Sequence, residues 1–167
     1  MQNTTVYQLQ YNDVRTYVYA SLFVAGNIIV PQLCHLIPQG GLIFLPIYFF
    51  TLVAAYKYGL TAGIITAICS PLLNHLLFGM PPLHALPILL IKSTLLAVFA
   101  AVIAKHVGKV TLPAIALAVI AYQTAGFLFE WPMTGSLISA LQDVRLGYPG
   151  IIIQIIAGYL ILSRIGK

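Results

Sequence analysis

Ala85-Leu-Pro-Ile-Leu-Leu-Ile-Lys92-Ser-Thr-Leu-Leu-Ala-Val-Phe-Ala-Ala-Val-Ile-Ala104 carries a single charge in an otherwise apolar run. A helix of about 20 such residues crosses the roughly 30 Å hydrocarbon core of a bilayer. The run therefore reads as a transmembrane helix with an ionisable group inside it. Such a group is costly in lipid. It faces a cavity, the bundle interior or a partner of opposite charge.

Runs of the same kind flank it over about 14–33, 42–56, 60–78, 110–129 and 148–163. The fold expected is an all-α membrane protein, a six-transmembrane-helix bundle forming one domain over 14–167 behind a polar tail, 1–13. The second and last runs are short for a span. The link Lys57-Tyr58-Gly59 is tight, so the second and third runs have an alternative as one bent hairpin dipping into the bilayer. The composition agrees with lipid as solvent: 60% hydrophobic and 7% charged, where soluble domains carry about 25% charge. The tail lacks a basic start and no small-residue cleavage site follows the first run, which is expected to remain as a helix.

The basic residues orient the bundle. Arg15, Lys57, Lys105, Lys109, Arg164 and Lys167 fall on one set of ends and links. The other set, loops 34–41, 79–84 and 130–147, holds only Arg145, offset by Glu130 and Asp143. Positive residues mark the cytoplasmic side, so both termini are expected inside. The net charge of +5 comes without a basic cluster, and no nucleic-acid partner is expected. The first two outer loops are Pro- and Gly-rich and carry His35 and His84. The third is long enough to suggest a lid, and 137–144 has an amphipathic look.

Polar residues inside the runs lie at one depth. Asn27, Asn74, His75, Lys92, Tyr122, Gln123 and Gln154 all fall roughly 5–11 Å beneath the outer ends at 1.5 Å per residue. Such a layer suggests a cavity open outward and sealed beneath by apolar side chains. These seven, with His35, His84, Glu130 and Trp131, are the candidate substrate-binding residues. Each has a plainer reading. Lys92 either meets an anionic ligand group or pairs with Glu130. Asn27, Gln123 and Gln154 serve equally as helix-to-helix hydrogen bonds. Trp131 suits an interfacial anchor. Cys34 and His35 alone make a poor chelate, so no metal site is expected.

No H-E-x-x-H, G-x-S-x-G or Gly-rich phosphate loop is present, and three acids in all make paired-carboxylate catalysis improbable. Helix 1 carries small residues, Ala20, Ser21, Ala25 and Gly26, with Ser21 and Ala25 four apart. That spacing permits close helix approach, within the bundle or to a partner subunit.

Leu45-Pro-Ile-Tyr-Phe-Phe-Thr-Leu-Val-Ala-Ala-Tyr-Lys-Tyr-Gly59 with Thr61-Ala-Gly63 is similar to the turn between the second and third helices of the substrate-binding S component of energy-coupling factor (ECF) vitamin transporters. Pro87 to Lys92 resembles the start of its fourth, and Tyr148-Pro-Gly-Ile-Ile-Ile-Gln154 the opening of its sixth. The resemblance implies high-affinity capture of a vitamin-like small molecule at the outer face of a bacterial or archaeal cytoplasmic membrane. It also implies a transmembrane coupling subunit and cytoplasmic ATPases as partners, no ATPase on this chain, and toppling in the membrane to release the ligand. The family docks its coupling subunit through Ala-x-x-x-Ala on helix 1, where this chain has Ser21-x-x-x-Ala25.

Lys92 with nearby histidines favours a ligand with a carboxylate, phosphate or other acceptor-rich group. Tyr122, Phe127 and Trp131 suit stacking on a heterocycle. A corrinoid is a further version. Nickel or cobalt is disfavoured, and no cofactor is expected. The competing reading is a structural membrane subunit of the rod-shape-determining type, with the polar layer as helix glue. A membrane enzyme is the third.

Overall fold

The computed structural model describes residues 6–165. Residues 1–5 of the tail, and Lys167 from the inner basic set, lie outside the described residues. In chain order the helices are α1 (Val14–Cys34), α2 (Gly40–Phe44), α3 (Phe49–Tyr58), α4 (Leu60–Phe78), α5 (Leu86–Val107), α6 (Leu112–Thr134), α7 (Leu137–Ala140), α8 (Gln142–Arg145) and α9 (Tyr148–Arg164). A 3-10 turn over Pro46–Tyr48 joins α2 to α3. The chain is 80% helical, and no strand occurs among the described residues.

Helices α1, α4, α5 and α6 are long and apolar enough to cross a bilayer. The protein is therefore a membrane-embedded helical bundle. Of the six expected spans, these four have the length of a full crossing; α9 has 17 residues and α3 has 10.

The largest departure lies in the second run, read as one helix over 42–56. The chain breaks at Leu45, which sits in the left-handed region at φ 47. Pro46 follows it. Proline disfavours the α conformation in the residue before it and offers no N–H to continue a helix. The helix restarts as α3, whose 10 residues reach about 15 Å, half the hydrocarbon core. Every residue from Thr51 to Tyr58 is buried. A helix covered on all sides belongs to the interior of a bundle, and α1, α4, α5 and α9 surround it. Gly63 lets α4 come close, since a Cβ there would stand 2.8 Å from the Cα of Ala55. Gly59, at φ 99, makes the one-residue turn between α3 and α4.

A short buried helix leaves its end groups unpaired unless other segments supply partners. At the start of α3, the Phe50 N–H donates to Oδ1 of Asn27 on α1 at 3.2 Å. At its end the N-terminal tail serves. The Tyr7 N–H donates to the Lys57 carbonyl at 2.7 Å, and the Leu9 N–H to the Tyr58 carbonyl at 3.0 Å. Lys57, expected in the tight link after the second run, lies in the last turn of α3 and is buried. Its Nζ stands 5.1 Å from the Tyr7 ring centre, close enough for cation–π attraction. Asp13 caps α1 by accepting from the Arg15 N–H at 2.9 Å. Its side-chain bond with Arg15 holds its carboxyl below the usual range.

Helix α6 continues past the expected limit at Phe129, so Glu130 and Trp131 are helical rather than part of a loop. The stop is Gly135, at φ 62, whose N–H returns to the Trp131 carbonyl. Left-handed glycine is a common helix terminator. The stretch expected to be amphipathic, 137–144, forms α7 and most of α8. With α2 these short helices lie at one end of the bundle, called the upper end below, where α1, α4 and α6 finish and α5 and α9 begin. The other half is an apolar core around Leu52, Tyr56, Leu96, Ile115, Val119 and Leu162.

Candidate functional site

Asn27 is the centre of an uncharged net. Its amide donates to Thr51 Oγ1 at 3.1 Å and to Ser70 Oγ at 3.2 Å, while its oxygen caps α3. Its backbone carbonyl accepts from Nδ2 of Asn74 at 2.8 Å. Thr51 and Ser93 hydroxyls face each other at 3.5 Å. Helices α1, α3, α4 and α5 are thus tied at one level. Asn27 is fully buried, and both its donors and its oxygen are used. It serves as a helix connector.

Lys92 is the centre of a charged cluster. It is 2% exposed. Its ammonium pairs with Glu130 of α6 and with Asp143 Oδ2 of α8, the latter at 2.7 Å. Gly126 makes room for the lysine stem, since a Cβ there would stand 2.8 Å from Lys92 Cγ. Of the two roles read from the sequence, pairing with Glu130 is the one found. Asp143 was read only as a loop residue, and it is the partner the sequence reading missed. With two carboxylates around one ammonium the cluster is already acid-rich. The Lys92 part of the preference for an anionic ligand, which also drew on nearby histidines, loses its support.

A third chain of bonds runs from Gln123 Nε2 to the Tyr122 hydroxyl at 2.9 Å, and from that hydroxyl to Gln154 Oε1 at 3.0 Å. The Tyr48 ring lies against Tyr122, centres 5.4 Å apart. Gln154 Nε2 is buried with no hydrogen-bond partner. These residues join α6 to α9.

Above the uncharged net is a cavity of about 750 Å³, within the roughly 300–1,000 Å³ of small-molecule sites. Pro31 and His35 from the end of α1, the 37–42 segment, Asn74, the 80–85 segment, Leu89 and Gln142 line it. Its polar groups are His35, Gln39, Asn74, His84 and Gln142, and no acid, lysine or arginine is among its lining residues. The structure thus brings His35 and His84 of the loops together with Asn74 of α4. Gln32 holds Asn74 by donating to its Oδ1 at 3.3 Å. Gln39, Gln142 and Gln32 were not singled out in the sequence, where glutamines in loops and near helix ends look like ordinary surface residues.

The remaining candidates lie elsewhere. His75 is held by its Nδ1 against the Pro81 carbonyl at 2.8 Å, bracing the 80–85 segment rather than lining the cavity. Trp131 is 48% exposed and stacks on Phe127, centres 5.9 Å apart. The small residues of α1 divide. Ser21 and Ala25 lie on its exposed face, whereas Ala20 is fully buried and a Cβ on Gly26 would meet the Phe50 ring at 2.7 Å. Ala20 and Gly26 serve contacts within the bundle, so only Ser21 and Ala25 remain available to a partner. Comparison with known protein families, with characterised proteins and with solved structures gives no match to this chain.

Proposed function

We propose that the chain captures a vitamin-like solute from the outer face of a cytoplasmic membrane, as the S component of an ATP-driven ECF importer. In this reading both termini are cytoplasmic, α3 with its preceding turn stands where a second span would, and α9 closes the bundle as a sixth segment. The coupling subunit and ATPases are separate chains, the former docking along Ser21 and Ala25 of α1. The observation that carries the reading is the cavity, built mainly from two Pro- and Gly-rich segments and lined by two imidazoles and three carboxamides. Such groups recognise a neutral or weakly polar heterocycle through hydrogen bonds, with the apolar lining covering its faces. A bundle with no ligand has no need to gather them around a hollow.

A second reading, a structural subunit of the rod-shape-determining type, is favoured by one finding. Lys92 is paired, and the Asn27 net is satisfied, as helix glue should be. Mass spectrometry of small molecules released by denaturing the purified protein separates the two. Capture predicts one retained compound, lost or strongly reduced in His84→Ala together with Asn74→Leu. Retention that ignores both substitutions would remove the cavity as the site, and an empty protein that is nonetheless folded would favour the structural reading.

A further inference from the structure

The charged cluster and the cavity meet at two adjacent residues. Gln142 lines the cavity, and Asp143 reaches down to Lys92. Both belong to α8, a helix of only four residues. A helix that short does not hold its own place, because so few backbone bonds cannot offset the cost of ordering it. What fastens it is visible. On one side Gly147, just beyond α8, lies against α2, where an added Cβ would come within 3.0 Å of the Leu42 carbonyl. On the other, the Asp143 carboxylate is bonded to an ammonium anchored in α5.

We propose that Lys92 and Asp143 are positioning residues: their ion pair latches the α8 segment against the bundle, setting Gln142 as a wall of the cavity, without either residue touching the ligand. Glu130 has a different part. It sits on α6, a long helix fixed by its own contacts, and keeps the Lys92 ammonium paired when the latch is open. The acid-rich cluster makes this possible. Releasing Asp143 leaves one ammonium and one carboxylate, a neutral pair still buried, instead of a bare charge. The wall can thus swing away without exposing an uncompensated lysine in the membrane interior.

The functional meaning rests on the capture reading, but the latch is testable without any ligand. Nitroxides are placed at Val144→Cys and Leu83→Cys, both exposed and each within two residues of a cavity-lining residue, Gln142 for the first and Pro82 and His84 for the second, with Cys34 and Cys69 changed to serine. Distances are read by pulsed electron resonance on ligand-free protein in lipid nanodiscs. Asp143→Asn and Glu130→Gln each remove one carboxylate charge, so a role in burial alone predicts the same outcome for both. The latch predicts a broadened, longer distance distribution for Asp143→Asn only. It also predicts amide exchange over 137–147 about tenfold faster or more, while α5 and α6 keep wild-type protection. Glu130→Gln keeps the wild-type distance. A wild-type distribution in Asp143→Asn overturns the proposal, as does equal broadening in both variants. Protection of α5 and α6 reports folding, and Asp143→Ser gives the same contrast should the asparagine variant not fold. A latch that fails this test leaves the cavity's ligand question standing, whereas an empty cavity leaves the measured distances unchanged.

Discussion

Two sets of polar side chains are buried at nearly the same level of this bundle, on adjacent residues of α5, and they fasten different things. The set around Asn27, reaching Ser93, is uncharged and joins long helices to the central one. The set around Lys92 is charged and joins two long helices to a segment of four residues at the surface. Neutral hydrogen bonds between helices are individually modest, so a fold can use several as permanent ties. A buried ion pair is costly to break on one side only, and the spare carboxylate here gives the lysine an alternative partner. The difference separates what holds the bundle from what holds the wall.

The largest effect expected from breaking this comparison is at its charged half. Lys92→Met leaves Glu130 and Asp143 facing each other without a cation, and losing one side of a buried pair costs about 3–5 kcal/mol. Unfolding in detergent should show that loss, and adding Glu130→Gln and Asp143→Asn should restore most of it. A loss below about 1 kcal/mol would mean the carboxylates do not need the lysine. Asn27→Ala strikes the neutral half. It strips partners from Thr51, Ser70 and the Phe50 N–H, and a loss of about 1–3 kcal/mol is expected. Amide exchange over 137–147 should stay as in the wild type; a loosened wall would show that the two sets are not separate. The smallest effect is at Gln154. Replacing it with leucine removes the unpaired Nε2 together with one acceptor of the Tyr122 hydroxyl, so stability should move by no more than about 1 kcal/mol. A greater loss would identify a partner for that amide.

Much of the scaffold was legible because lipid imposes a simple rule, and runs of about 20 apolar residues stand out. Helices α4, α5 and α6 lie close to where hydropathy places them, and of the polar residues read at one depth Asn27 and Asn74 bond each other, while Lys92 and Gln154 belong to separate sets. The break at Leu45 was not legible. Leu-Pro inside an apolar run also suits a helix starting at the proline, and only the surrounding helices decide that α3 is an enclosed half-length piece. The Lys92–Asp143 pair was hidden for another reason. Its members are 51 positions apart, and a lone aspartate in a polar loop gives no sign of where it reaches. Glu130 was found because it directly follows an apolar run. The division of α1's small residues into inner Ala20 and Gly26 and outer Ser21 and Ala25 needed the orientation of the helix, which a nearly uniform apolar stretch does not announce.

The tail's bonds to Lys57 and Tyr58 carry a consequence for the order of events during synthesis. The chain grows from its N-terminus, so residues 7–9 exist before α3 does. When the last turn of α3 is made, its carbonyls meet donors already waiting on a segment about 50 residues older, at a modest loop-closure cost. A half-length helix is therefore never left in lipid with a bare end, provided the leading segment stays near the membrane surface until α3 arrives.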